Sequence, residues 1–573
     1  MQFLLRLFSA LLINRLLIKV VLASNATFAV LDARAFVPGS WTLAQQGTTG
    51  VSAMQLAVTS ETTAIIFDRV EHNALTVGGH PAWSVELNLN TRAIRALNPA
   101  SNTLCGTGNF LGNGTLVSTG GNPIVITGLS GLQGVRLFTP CTNSKCDIFE
   151  NAARVRLTSG RWYPSSVRIE DGSALIFGGS MNGGFINNAA RNNPSYEYYP
   201  PKNINGKGFN GLQIPSKFLV DTLNGNHFPI MLYLPDGTIF VAANQQAMIL
   251  NWRTNSETRL PGIPNGVRVS SPFSAGAALL PLTPENNYTP EVLICGGSTL
   301  NDRAASQDFT SQAPTSAQCS RMVLTADGIA AGWQVETMPQ PRIMLEMVQL
   351  PDMRLLIVNG AMTGVAGYGN VQNRVGDSNA DNPAFTPVIY DPSAAVGSRF
   401  SSVGIPASNI ARLYHSTATL TPNGTVMIAG SNPNLDVSTT KYATEYRLEF
   451  YSPPYMFQPR PTYTGLPATV NYNAKFNLAV QLPTGVTAVT AVIIDLGFAT
   501  HGVHMDQRLV KLVTTLSADG RTLTVTGPPS AKHYPPGPAY LYVVTSAGVP
   551  SSGHKTLIGT GASPPVDPGA IAK

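Results

Sequence analysis

Short apolar runs recur along most of the chain, each broken by a turn rich in Asn, Asp or Gly and answered by a second apolar run that ends on small residues. The clearest case is Arg161-Trp162-Tyr163-Pro164-Ser165-Ser166-Val167-Arg168-Ile169, then Asp171-Gly172, then Ser173-Ala174-Leu175-Ile176-Phe177-Gly178-Gly179. This pattern predicts a strand, a tight Asp-Gly turn and a second strand closed by paired glycines, with a tyrosine where the first strand begins. The same unit is expected at 52–69, 109–121, 230–241, 277–297, 347–360 and 415–430, which with 161–179 makes seven. No long amphipathic helix interrupts them, and no phosphate loop or dinucleotide fingerprint stands between a strand and a helix.

The units are spaced by roughly 50 to 70 residues, near the kelch period of ~50 with insertions, which predicts a β-propeller of four-stranded blades. No blade covers both of its faces alone, so neighbours must supply the missing apolar surface. After Tyr451-Ser452-Pro453-Pro454-Tyr455 the pattern changes to alternating strands such as Phe476-Asn477-Leu478-Ala479-Val480-Gln481 and Ala539-Tyr540-Leu541-Tyr542-Val543-Val544. Turn signals at strand-length spacing there predict a sandwich. The expected architecture is all-β: a seven-bladed kelch-type β-propeller over 27–453, then a C-terminal immunoglobulin-like β-sandwich over 454–573 with a frayed tail after Gly559.

Composition sharpens the class. Of 573 residues, 12% are charged and 43% hydrophobic, and 53 Gly with 43 Pro suit a turn-rich globular protein rather than a disordered one. The formal net charge of +6 is small for this length, and Lys and Arg form no basic run, so nucleic acid is excluded as an expected partner. The mostly apolar segment 1–26 carries Arg6, Arg15 and Lys19, which would sit inside a bilayer; it reads as a secretion signal, leaving no membrane span in the mature chain. Sequons at Asn25, Asn113, Asn287 and Asn423 agree with a secreted, extracellular glycoprotein. Of the five cysteines, Cys141 with Cys146 and Cys295 with Cys319 are candidate disulfides in an oxidising compartment. Cys105 is left over, either as a buried free thiol or as a residue used covalently elsewhere.

Propellers bind ligands at the axis, where the innermost strand of each blade begins. Tyr163 opens one such strand, Tyr414-His415 opens another and Cys105 lies just before a third, while His501 sits at a hairpin end in the C-terminal domain. Phenols, imidazoles and a spare thiol form a nitrogen and oxygen donor set with soft character, which suits Cu(II) in tetragonal geometry. Zinc fits less well, since no Cys-x-x-Cys or His-Glu-x-x-His spacing is present. His501 and His504 stand three apart and, on a strand, face opposite sides, so at most one of them is expected to ligate.

Four separated segments resemble the secreted fungal copper radical oxidases of the glyoxal oxidase family, which is related to galactose oxidase. They are Asn102-Thr103-Leu104-Cys105-Gly106-Thr107-Gly108, Arg161 to Ile169, Arg412-Leu413-Tyr414-His415-Ser416-Thr417, and Asp495-Leu496-Gly497-Phe498-Ala499-Thr500-His501. The resemblance implies copper held by Tyr163, Tyr414, His415 and His501, the last sent to the axis by the sandwich. It further implies a thioether between Cys105 and the Tyr163 ring, a stored tyrosyl radical, and Tyr414 as general base. The implied reaction converts small aldehydes and related α-hydroxycarbonyls to acids and O2 to hydrogen peroxide. The expected partners are the aldehyde, O2 and extracellular peroxide-using peroxidases, and the chain is expected to be a monomer.

Two departures from galactose oxidases are visible. Only residues 1–51 precede the first unit, where galactose oxidases usually carry a sugar-binding domain, and the position that would hold a tryptophan over the thioether is, by count along Phe177-Gly178-Gly179-Ser180, Met181. A methionine covers a ring without stacking on it as an indole does. An alcohol or galactose oxidase with the same copper centre is the first alternative. A non-catalytic kelch-type binding protein is the second.

Overall fold

The computed structural model describes residues 39–68, 72–123, 128–202 and 213–566. The expected secretion segment 1–26 and the sequon at Asn25 lie outside them. Helix is confined to short turns such as Lys217–Asp221 and Ala326–Ala331, and no helix among the described residues is long and apolar enough to cross a membrane.

Seven antiparallel sheets of four propeller strands surround one axis. Their innermost strands are Gln55–Val58, Thr107–Phe110, Ser165–Arg168, Ile230–Tyr233, Gly276–Leu279, Glu346–Gln349 and Ser416–Leu420. The seven-bladed propeller expected from the repeated unit is therefore the fold, and the apolar runs are buried because each blade packs between two others. The ring closes in a way the repeat did not announce. Thr42–Thr48 becomes the outermost strand of the last blade, pairing antiparallel with Arg447–Ser452 from Thr42 against Ser452 to Thr48 against Arg447. Its sequence, Thr-Leu-Ala-Gln-Gln-Gly-Thr, is mostly exposed and carries no apolar run.

The third blade shows why the Tyr163 unit has its sequence. Ser165–Arg168 pairs with Ala174–Phe177, Ser165 facing Phe177 and Arg168 facing Ala174. Asp171 Oδ1 accepts from the Ser173 amide at 2.9 Å, and the Gly172 amide donates to Ile169 O at 2.9 Å. Gly179, in the left-handed region at φ 87°, has no room for a side chain: a Cβ would lie 2.8 Å from Trp162 O and 3.0 Å from Pro164 N. The paired glycines let the segment carrying Tyr163 lie directly on the end of the second strand.

Two buried arginines anchor the tyrosine segments from behind. Arg161 Nε donates to Glu197 Oε1 at 2.8 Å, and its Nη1 donates to the carbonyls of Gly178 and Ser195, both at 2.9 Å. In the last blade Arg412 repeats the arrangement, with Nε to Glu449 Oε2 at 2.9 Å and Nη1 to Gly430 O at 2.7 Å. Each arginine stands two residues before its tyrosine, so each guanidinium ties the strand entry to the second and third strands of the same blade.

The C-terminal domain is an immunoglobulin-like sandwich whose two sheets share one long strand, Arg508–Leu516. Its first half pairs with Val489–Asp495, and its second half with Thr522–Thr526. Alternating burial along Lys475–Gln481 matches the expected half-buried pattern. From this domain the hairpin Phe498–Thr500 and Val503–Met505 enters the propeller and pairs with Gln55–Val58, Gln55 opposite Thr500. Arg168 forms a buried ion pair with Asp495, the Arg168 amide donates to Asp506 Oδ1 at 2.7 Å, and Asn109 Nδ2 donates to Asp506 Oδ2 at 2.7 Å. Disulfides join Cys141 to Cys146 and Cys295 to Cys319, and Cys105 is buried outside any disulfide.

Replacing Arg161 by Met leaves Glu197 buried without its cation, for which a loss of about 3–5 kcal/mol is expected. Equilibrium urea unfolding of Arg161→Met against the parent measures it.

Candidate metal centre

The side chains singled out in the sequence meet at one end of the axis because the backbone there departs from extended geometry. Cys105, Tyr163, Phe228 and Met344, each two residues before an innermost strand, have left-handed φ of 57°, 61°, 47° and 57°. His415, one residue before its strand, has φ 64°, and His501 at the hairpin tip has φ 52°. Left-handed backbone is uncommon for residues with a Cβ and tends to be held at functional sites by its surroundings. Here neighbouring segments hold it: the Tyr163 amide donates to Cys105 O at 3.0 Å, and the Phe228 amide donates to Tyr163 O at 3.0 Å.

Cys105 Sγ lies 3.2 Å from His501 Nε2, 3.9 Å from His415 Nε2 and 3.8 Å from Tyr414 Oη. The Tyr163 and Tyr414 hydroxyls are hydrogen-bonded to each other. Cys105, His415 and His501 offer ligand atoms within 4.8 Å of one another, all buried. His504 points elsewhere: its Nε2 donates to Leu496 O at 2.8 Å, and its Nδ1 faces Glu346 Oε2 at 3.8 Å.

Hydrogen bonds behind the two central imidazoles set their tautomers. His415 Nδ1 donates to Asn432 O at 3.2 Å, which leaves Nε2 with its lone pair. Thr500 Oγ1 donates to Met54 O at 2.9 Å, so it accepts from His501 Nδ1 at 2.5 Å, again leaving Nε2 bare. Outward Nδ1–H bonds and inward Nε2 lone pairs are how metal-ligating histidines are oriented. Burial holds both rings neutral, pushing His415 down to about 3 and His501 well below the usual range, the latter helped by His415. Burial, then the neighbouring Cys105, drives the Tyr163 and Tyr414 phenols well above their usual value, and burial pushes the Cys105 thiol up to about 12. A divalent cation would reverse that preference at the phenols.

The cover over Tyr163 is not the one expected. Met181 is 45% exposed and turns to solvent. His227 instead lies flat on the Tyr163 ring, centroids 4.8 Å apart with 13° between planes, while Trp162 packs tilted against it at 4.3 Å. Burial, then Arg191, lowers His227 to about 3, and both its ring nitrogens are buried without a hydrogen-bond partner among the described residues. His227-Phe228-Pro229 stands before Ile230–Tyr233 as Trp162-Tyr163-Pro164 stands before Ser165–Arg168. That matched offset was the available sign of a second aromatic at the axis. Counting forward from the glycines to Met181 missed it because the covering ring comes from the next blade.

Over these groups opens a cavity of about 730 Å³, lined by Trp162, Tyr163, Phe185, Arg191, Tyr368 and Tyr414 among others. Its size suits a small-molecule site.

Residues 49–455 match the family model described as glyoxal oxidase N-terminus, and 460–558 match the galactose oxidase-like early set domain. The chain belongs to the glyoxal oxidase family. It is 33% identical to aldehyde oxidase GLOX of Vitis pseudoreticulata over 91% of this chain and 98% of that one. It is 31% identical to aldehyde oxidase GLOX1 of Arabidopsis thaliana over 82% and 74%. Resemblance within the glyoxal oxidase family thus extends beyond fungal proteins. Among solved structures, a fungal alcohol oxidase in complex with copper has the same fold, with a TM-score of 0.68 at 18% identity, covering 91% of this chain and 99% of that one. Membership of the glyoxal oxidase family supports an oxidase with a copper cofactor.

Thr500→Val removes the acceptor from His501 Nδ1–H while keeping the side-chain shape. Copper affinity is expected to fall ~10–100-fold, read by calorimetric titration with Cu(II).

Proposed function

We propose that this protein is a secreted copper radical oxidase that converts small aldehydes, such as glyoxal and methylglyoxal, and related α-hydroxycarbonyls to carboxylic acids while reducing O2 to hydrogen peroxide. The observation that carries the proposal is the convergence of two phenols and two bare Nε2 atoms on one buried point beside an unpaired thiol. That donor set fits copper, which would be held by Tyr163, Tyr414, His415 and His501. Bound copper supplies one-electron redox chemistry, so a second one-electron site must come from the protein.

Tyr163 is that site in this reading. Cys105 packs in one apolar cluster with Tyr163 and contacts the copper-facing groups, a placement suited to a thioether at the ring. A sulfur substituent donates density to the phenol and eases loss of its electron. His227 stacked on one face and Phe228 set edge-on at 5.0 Å cover the ring on the sides away from the cavity. Tyr414 faces both the cavity and the Tyr163 hydroxyl, so with copper bound it would, as phenolate, accept the hydroxyl proton of a hydrated aldehyde, and the oxygen of Tyr163 in its one-electron-oxidised form would accept the carbon-bound hydrogen atom. The balance is aldehyde plus water plus O2 giving acid plus hydrogen peroxide. Export through an oxidising compartment agrees with the two disulfides and with peroxide release to extracellular peroxidases.

The galactose oxidase alternative keeps the same copper centre and differs in the cavity. Peroxide release from glyoxal or methylglyoxal is expected to exceed release from galactose or benzyl alcohol, and a preference for the alcohols would overturn the substrate assignment. Aerobic copper loading is expected to link the Cys105 and Tyr163 peptides with loss of two hydrogens, seen by peptide mass spectrometry. Cys105→Ala is expected to bind copper yet lose most turnover, and separate peptides in the parent would count against the radical reading.

A further inference from the structure

Cys105 stands at the start of the innermost strand Thr107–Phe110, and the turn after the far end of that strand carries Asn113-Gly114-Thr115, an N-glycosylation acceptor sequence. Asn113 Oδ1 accepts from the Thr115 amide at 3.0 Å, which folds the sequon as an Asx turn. Asn113 Nδ2 donates to Ser563 Oγ at 3.0 Å and so brings the C-terminal tail against this turn. The described sequons at Asn287 and Asn423 are exposed, whereas Asn113 is half-buried at the edge of a groove.

That groove, of about 510 Å³, runs between the second blade, the third blade and the tail, away from the metal centre. Leu137, Phe149, Tyr199 and Val566 give it an apolar wall, and Phe149 and Val566 are 55% and 51% exposed. Open apolar surface of this kind marks a place that something covers. Thr139, Asp147 and Ser563 set polar atoms along the same lining. Aromatic and aliphatic faces interleaved with hydroxyl and carboxylate groups match a sugar ring, whose C–H faces are apolar and whose edges carry hydroxyls. The wall is held in place by the fold: Leu137 pairs with Phe149 across the two outer strands of the blade, and the disulfide between Cys141 and Cys146 closes the loop between them.

We propose that Asn113 is glycosylated and that the first two N-acetylglucosamine residues of its glycan occupy this groove, covering Phe149 and Val566 and tying the tail to the propeller. In the transfer, Asn113 Nδ2 bonds to C1 of the first sugar of a lipid-linked oligosaccharyl diphosphate. The C1–O bond to the diphosphate breaks, the lipid diphosphate leaves, and one amide hydrogen departs as a proton. One N–H remains on Nδ2, so the bond to Ser563 Oγ can persist. Ser563 lies 450 residues further along the chain, so during export the sugar is in place before the tail can close over it. The proposal rests on the export part of the reading above and on none of its copper chemistry.

For the test, the full chain is expressed in a eukaryotic host behind the host's own export signal, so that a failure of residues 1–26 to direct secretion does not bear on the sugar. Peptide mass spectrometry is expected to find the Asn113 peptide carrying an N-linked glycan. Recovery of that peptide unmodified overturns the proposal and leaves the oxidase reading, followed by peroxide release, as it was. An endoglycosidase that cuts between the two N-acetylglucosamines is expected to release the Asn113 glycan roughly tenfold more slowly from native than from heat-denatured protein, because the cut bond is covered. Phe149→Ser and, in the tail, Val566→Asp are each expected to remove most of that protection. Two variants keep the test open if one fails to fold, as judged by melting temperature. Equal release from native and denatured parent, or slow release that neither folded variant speeds, overturns the groove as the seat of the glycan.

Discussion

Everything at the axis depends on the way each innermost strand is entered. The chain arrives from the rim of one blade and must reverse into a strand that runs along the axis, and in every blade but the first it does so through a residue in the left-handed region. Cys105, Tyr163, Phe228 and Met344 occupy equivalent points, and such backbone costs ~1–3 kcal/mol at each non-glycine residue. The cost is offset by what surrounds the turn: backbone bonds from Tyr163 to Cys105 and from Phe228 to Tyr163, and glycines that let strand ends touch the turn. Side chains on such turns leave the blade and point at its neighbours. Residues far apart in sequence are thereby brought to one point without a long loop.

Buried arginines convert that geometry into rigidity. Arg161 and Arg412 each satisfy a glutamate and two backbone carbonyls within one blade, so the segments ending in Tyr163 and Tyr414 are fixed from the far side of the metal centre. Arg168 does the same between domains, joining the third blade to Asp495 at the base of the axial hairpin. Removing one partner of such a pair strands a charge in the interior, whereas the complete pair with its hydrogen bonds is well accommodated. Gly108 completes the docking by leaving space for the Phe498 ring.

The hairpin is what makes the centre mixed in origin. The propeller alone brings the two phenols, the thiol and His415 together; His501 comes from the sandwich, and its tautomer is set by Thr500, which is in turn bonded to Met54 of the first blade. Orientation of the imidazole therefore depends on the docking of two domains. Burial keeps the phenols and imidazoles neutral until a cation is bound.

Local pattern determined a great deal. Asp171-Gly172 and the paired glycines of the Tyr163 unit specify a hairpin by backbone chemistry alone, and seven such units specify a closed ring because no blade can bury itself. The odd cysteine and the tyrosine and histidine segments were legible for a related reason, since each needed residue sits at a strand entry that the repeat had already located. Three things were not legible. The closing strand Thr42–Thr48 is polar and exposed, so its place is decided by the free edge of Arg447–Ser452. The cover on Tyr163 comes from the adjacent blade as His227, the residue just before left-handed Phe228, whereas counting along one blade leads to Met181 instead. That Arg191 has no hydrogen-bond or ion-pair partner for its guanidinium among the described residues is a property of its neighbours. Sequence carries the identity of a charge, while the presence or absence of a partner within reach exists only once the chain is folded.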